Sequence, residues 1–322
     1  MNEQDRQALE EAVRRCGGIA GLVVQKNGVR AYEGYWDGFS AKDAVHVFSV
    51  TKSVISALIG AALDQGFLQS VRQSVLDFFP DYTPKRGEKT LQTVTLRDLL
   101  TMTAPYKYRS APYTKHFSSS DWVRSSLDLL GGRGRVGDFR YAPVVGPDIL
   151  SGVLRAATGQ SVLDFAEDRL FTPLGFSKKH SVTFPDKDGQ MAWYRREKHG
   201  GEWAADAQGV HAAGWGLTLT AREMAAIGQL YLDGGAAGGR QLLSSGWVAE
   251  STAAHSRWAE AGLSYGYLWW VLDKDRFAAV GDGGNVVYVN RAKGLTVAAA
   301  SVFRPRVTDR VAFIQQQIEP LF

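Results

Sequence analysis

Ser49 and Lys52 stand three residues apart in the segment Val47-Phe48-Ser49-Val50-Thr51-Lys52-Ser53-Val54-Ile55-Ser56-Ala57-Leu58-Ile59. Wound as a helix, this segment is apolar nearly all round. Its polar residues Ser49, Lys52, Ser53 and Ser56 fall at i, i+3, i+4 and i+7, a narrow stripe on an otherwise buried rod. Residues three apart on a helix are neighbours, so the Lys52 amine can reach the Ser49 hydroxyl. A lysine in such surroundings is costly unless it finds partners or gives up its proton. A serine at a helix start also gains from the N-terminal dipole, which favours negative charge on its oxygen. Hydroxyl, amine and dipole together are what an activated serine nucleophile requires.

The elements around this helix follow from pattern. Residues 3–15 read as an amphipathic helix with Ala8, Leu9, Ala12 and Val13 on one stripe, ended by Gly17-Gly18. Ile19 to Gln25 and Val29 to Trp36 read as strands joined by a Lys26-Asn27-Gly28 hairpin turn. Three capping boxes precede apolar runs, at Thr95/Asp98, Ser161/Asp164 and Thr220/Glu223, and a further helix is expected near Asp148 to Thr158. Short β-rich runs return at Tyr267 to Leu272, Phe277 to Val280, Val286 to Asn290 and Leu295 to Val302, and Pro305 precedes a last helix from Val307 to Ile318. This order predicts an α/β (α+β) fold: one antiparallel sheet built from both chain ends with flanking helices, and an inserted helical lobe. The whole of 1–322 is expected to form one domain, with the sheet lobe at about 1–48 and 255–322, the helical lobe at about 49–254, and the site in the cleft between.

Composition narrows the class. Of 322 residues, 45% are apolar and 22% charged, as in a globular protein rather than a disordered or fibrous one. The net charge of +4 is small and dispersed, which argues against nucleic-acid binding. Cys16 is the one cysteine, so no intrachain disulfide can form and no cysteine-rich zinc site is available. No signal-peptide core or membrane-length apolar run is seen, so a cytoplasmic protein with no membrane contact is expected. Gly132 to Gly137 fits G-x-G-x-x-G, yet neither follows a strand nor opens a helix, so no dinucleotide site is expected. No cofactor or metal is implied.

Phe48-Ser49-Val50-Thr51-Lys52-Ser53 resembles the first motif of the penicillin-recognising serine hydrolases, which include class C β-lactamases, penicillin-binding proteins, family VIII carboxylesterases, D-aminopeptidases and 6-aminohexanoate-dimer hydrolases. Val94 to Thr103, Leu170 to Phe176, Ala212 to Arg222 and Tyr265 to Val271 resemble further segments of that superfamily in the same order, so the likeness runs from about residue 19 to the C-terminus. The resemblance implies a β-lactamase/transpeptidase-like fold and acyl transfer through Ser49, Lys52 and Tyr141, Tyr141 matching the family's Tyr-x-Asn with Pro143 in place of Asn. A phenol titrating near pH 10 acts as base only beside a cation such as Lys52. Gly281-Asp282-Gly283-Gly284-Asn285 matches the third motif, with Asp282 replacing the cation and Gly283 replacing Thr. The resemblance implies an oxyanion hole from the backbone N–H groups of Ser49 and Asn285; Asp282, Gly283 and Gly284 of that motif are expected to meet substrate, and the aromatics Trp215 and Tyr106, near the expected cleft, are candidates to line its pocket. Tyr108, Tyr265 and Trp269 are further candidates for an aromatic lining, His46 is expected to be structural, and His211 is a lesser candidate for a place near the cleft. The expected activity is hydrolysis of a small-molecule ester or amide, with weak or no β-lactamase activity because Asp282 repels carboxylates. The alternative is a catalytically silent β-lactamase-like binding protein. Oligomeric state stays open.

Overall fold

Asn27 (φ 51°) and Gly28 (φ 76°) both adopt left-handed backbone, the conformation a two-residue hairpin needs. They join β1 (Ile19–Lys26) to β2 (Val29–Tyr35), with Lys26 paired to Val29. The structure, a computed structural model, describes residues 2–304 and 307–322; Pro305 lies outside the described residues. Ahead of the hairpin, α1 (Glu3–Cys16) is capped by Asn2, whose side chain accepts the Asp5 N–H, and buries Leu9, Ala12 and Val13. Ala8, expected on that face, is exposed.

Further along lie β3 (Val45–His46), α2 (Thr51–Asp64), α3 (Leu96–Leu100), α4 (Trp122–Leu129), α5 (Val145–Thr158), β4 (Thr218–Leu219) and α6 (Ala221–Leu232). The chain then builds β5 (Ser256–Trp258), β6 (Leu263–Tyr265), β7 (Trp270–Val271), β8 (Arg276–Gly281), β9 (Asn285–Asn290) and β10 (Leu295–Ser301). Eight strands form one sheet in the order β2-β1-β10-β9-β8-β7-β6-β5, and β1 pairs antiparallel with β10 from the other chain end. The anticipated sheet from both ends is therefore present. The run expected at Tyr267 to Leu272 is a strand only at Trp270–Val271, because Gly266 and Leu268 (φ 62°) turn the chain there. Nor is the middle purely helical: β3 pairs with β4, and His180–Val182 pairs in parallel with Glu202–Ala204.

Both faces of the sheet are covered, so its inner strands are apolar on both sides. On β10, Leu295, Val297 and Ala299 point toward α1 and the C-terminal Phe313, Ile314 and Ile318. Ala298 and Ala300 join the larger core on the opposite face, with α6 and α2. All three capping boxes start helices, and at Thr95/Asp98 and Thr220/Glu223 both reciprocal bonds form. The last helix starts later than expected, at Arg310, with Asp309 capping Val311 and Ala312. No helix among the described residues is long and apolar enough to cross a membrane.

Helix α2 is buried from Thr51 to Ala62 and sits against a neighbouring indole at Gly60, where a Cβ would fall 2.2 Å from Trp247 Cδ1. Alanine is the better helix former by about 1 kcal/mol, but overpacking a closed core costs about 1–3 kcal/mol. Gly60→Ala is expected to lower Tm by roughly 2–8 °C in a thermal melt. An unchanged or raised Tm would show that Trp247 moves aside freely.

Candidate active site

Ser49 lies in the single 3₁₀ turn Phe48–Val50 that leads into α2. Phe48 holds φ 49°, a left-handed conformation rare for a bulky residue, and so aims the next residue out of the helix start. Ser49 is partly exposed, whereas Lys52, one turn on, is 1% exposed. The Lys52 Nζ donates to Ser49 Oγ at 2.6 Å and to the Gly214 carbonyl at 3.0 Å. Burial pushes the Lys52 amine down to about 7, against the opposing fields of Asp282 and Asp148. The amine thus changes charge near neutrality while touching the hydroxyl.

Tyr141 comes from the loop before α5. Its ring centroid is 5.5 Å from Lys52 Nζ, and it packs on Trp270 (5.5 Å) and Tyr265 (6.3 Å). Burial raises its hydroxyl to about 12, although the neighbouring Ser49 hydroxyl favours the phenolate. The expected trio of Ser49, Lys52 and Tyr141 is therefore together, with the amine rather than the phenol titrating near neutrality.

Two residues outside the expected set hold this geometry. The carboxylate of Asp148, buried on α5, accepts N–H bonds from Ala213 (2.9 Å) and Gly214 (3.4 Å), and its other oxygen pairs with buried His116 Nε2 at 2.9 Å. Asp148 thereby fixes the backbone of residues 213 and 214, and the carbonyl that follows, that of Gly214, holds Lys52. Gly214 tolerates no side chain, since a Cβ would lie 2.2 Å from the Pro143 carbonyl oxygen. Neither Asp148 nor His116 has a local sequence signal, because Asp148 is 32 residues from His116 and over sixty from residues 213 and 214.

Between Ser49 and Asp282 opens a cavity of about 410 Å³, lined by Phe48, Tyr113, Phe117, Tyr194 and Trp215 together with Pro143, Val144, Gln190 and Met191. Trp215 and Asp282, both expected at the cleft, line this cavity. Tyr106 does not: it is buried beneath Arg140, with its hydroxyl against Gly146. Tyr265 and Trp269 are core residues, and Tyr108 lies against Arg140. Asn285 is fully buried, donating through Nδ2 to the carbonyls of His46 and Asp282 and accepting the Ser301 N–H, so it braces the β8–β9 turn away from the cavity. Gly283 and Gly284 are left-handed turn residues packed on Phe303 and Arg310, not on the cavity. Gly281 is the glycine facing Ser49: a Cβ there would lie 3.2 Å from the Ser49 backbone nitrogen and 2.2 Å from the Val47 carbonyl. Strand β7 pairs only as far along β8 as Ala278, so the end of β8 is free to meet the Ser49 turn.

His46 is a strut, its Nε2 accepting the Gly216 N–H at 2.9 Å while burial drives its pKa well down. His211 is held by Ser181 and lies against Trp203, outside the cavity lining; burial lowers it to about 4.

The Beta-lactamase family model matches residues 6–315, nearly the whole chain. The chain belongs to the Beta-lactamase family. It is 25% identical over 296 residues to the 6-aminohexanoate-dimer hydrolase of Paenarthrobacter ureafaciens, covering 85% of this chain and 69% of that one. A penicillin-binding protein homologue from Caulobacter crescentus superimposes with a TM-score of 0.76 at 16% identity, over 99% of this chain and 96% of that one. A family VIII carboxylesterase gives 0.73 at 15% identity, over 99% and 97%. Family and fold are those implied by the Phe48–Ser53 motif.

Asp148→Ala strands two backbone N–H groups and a buried imidazole, at about 1–3 kcal/mol for each unpaired group. Urea unfolding is expected to show a loss of about 2–5 kcal/mol. A change under about 0.5 kcal/mol would mean that the Ala213–Gly214 peptide is held by other contacts.

Proposed function

We propose that the protein is a serine hydrolase that cleaves an ester or amide through an acyl-enzyme at Ser49. The observation that carries this reading is the 2.6 Å contact between Ser49 Oγ and an amine whose pKa is about 7. Neutral Lys52 takes the Ser49 proton as Oγ bonds to the substrate carbonyl carbon. The resulting oxyanion is met by the Ser49 backbone N–H, which the bare Gly281 leaves uncovered. Tyr141, protonated at this pH, donates its proton to the departing alcohol or amine and recovers one from the Lys52 ammonium. The acyl-serine bond is then cleaved by water, with Lys52 again taking a proton and Ser49 regaining one. The names of its hydrolase and carboxylesterase relatives accord with this chemistry.

Asp282 sets what is refused. A substrate carboxylate 4 Å from it meets a repulsion of about 4 kcal/mol at an effective dielectric of 20, less in contact with water. β-Lactams and peptide C-termini are accordingly poor substrates, and esters or amides without a carboxylate are preferred.

A fluorophosphonate probe is expected to label the wild type and not Ser49→Ala. Labelling should rise with pH through about 7, as the Lys52 amine loses its proton, and then level off. Lys52→Ala should slow it by about 10²–10⁴-fold. p-Nitrophenyl butyrate should be hydrolysed and nitrocefin barely. Labelling that persists in Ser49→Ala, or efficient nitrocefin turnover without ester cleavage, would overturn the proposal; no labelling of the wild type would leave the fold as a binding protein.

A further inference from the structure

The cavity beside Ser49 combines an acid with aromatic walls and holds no basic side chain among its lining residues. Asp282 is exposed at its rim, and among the described residues its carboxylate has no hydrogen bond or ion pair. The hydroxyls of Tyr113 and Tyr194 both lie within the field of Asp282. The rings form connected walls: Tyr194 meets Phe48 edge-on at 5.3 Å, Tyr113 stacks on Phe117 at 5.9 Å, and Phe117 meets Trp215 at 5.2 Å. Aromatic faces carry negative potential and attract cations, most strongly where water is excluded. A carboxylate at the mouth adds the charge that such a cage needs, and 410 Å³ accommodates a small ligand.

We propose that the ligand of this cavity carries an ammonium group, seated between Asp282 and the faces of Tyr113, Phe117, Tyr194 and Trp215. Its ester or amide carbonyl then lies at Ser49. The placement of that carbonyl rests on the hydrolase reading above; the recognition of the cation does not. Two features make the assignment specific. An anion is repelled by Asp282, and a neutral apolar group fills the aromatic walls but leaves the carboxylate without a counter-charge. The cation alone satisfies both surfaces. The headgroup can be a primary or a substituted ammonium, because both present a compact positive charge to the rings.

The test separates recognition from turnover. In Ser49→Ala, which cannot form an acyl-enzyme, calorimetric titration compares acetylcholine with 3,3-dimethylbutyl acetate, the same shape with carbon in place of the charged nitrogen. Acetylcholine is expected to bind at least tenfold more tightly. In Ser49→Ala/Asp282→Asn that ratio is expected to fall to within about threefold of unity, and Ser49→Ala/Asp282→Lys is expected to invert it. Equal affinities, absence of binding by either compound, or a ratio unmoved by Asp282→Asn would overturn the proposal. A wild-type enzyme that binds acetylcholine selectively yet cleaves no ester would refute the hydrolase reading and leave the cation site standing.

Discussion

An amine removed from water inside an apolar helix is the constraint to which the rest of the site answers. Lys52 is 1% exposed among Val54, Ile55 and the core beneath α2. A fall from 10.5 to about 7 corresponds to roughly 5 kcal/mol of preference for the uncharged form relative to water. Such a group persists in a fold only where its donors are used, and among the described residues its partners are Ser49 Oγ and the Gly214 carbonyl. Structure and chemistry meet here, since the bonds that make the buried amine tolerable also set it against the hydroxyl it would deprotonate.

The surrounding architecture reads as support for those two bonds. Gly214 must be glycine because its backbone presses on Pro143, and its peptide is pinned by Asp148, itself paired with His116. The sheet contributes through the free end of β8, where Gly281 meets the Ser49 turn without a side chain. Strain at Phe48 sits one residue before Ser49, where backbone distortion is held by the packing of His46 (3.9 Å) and Tyr194 (5.3 Å) on its ring. Asp282 faces the same space and opposes the loss of charge on Lys52, so the amine's pKa is a balance of desolvation and field.

Legibility followed the range of the physics. The Ser49–Lys52 pair, the Asn27-Gly28 hairpin and the three capping boxes could be read because each depends on residues within four positions of one another. Tyr141 and Asp282 were placed by resemblance in motif and order. What escaped the sequence at the site is long-range. The buried side chain of Asn285, bonded to His46 and Ser301, has a bracing role that its position after the glycine turn does not announce. Tyr106 is as aromatic as Tyr113, yet one lies under Arg140 and the other on the cavity, and no spacing distinguishes them. Asp148 and His116 were invisible because their role arises only when α5 meets the 213–214 peptide.

The central claim is that Lys52 is an amine of near-neutral pKa in contact with Ser49. Heteronuclear NMR of the protein with labelled lysine, its Lys52 signal assigned by comparison with Lys52→Arg, measures this through the Cε shift across pH. A midpoint near 7, set apart from the exposed lysines, is what the structure requires. A midpoint above about 10, with the other lysines, would mean that Lys52 stays charged and solvated, and would contradict the account.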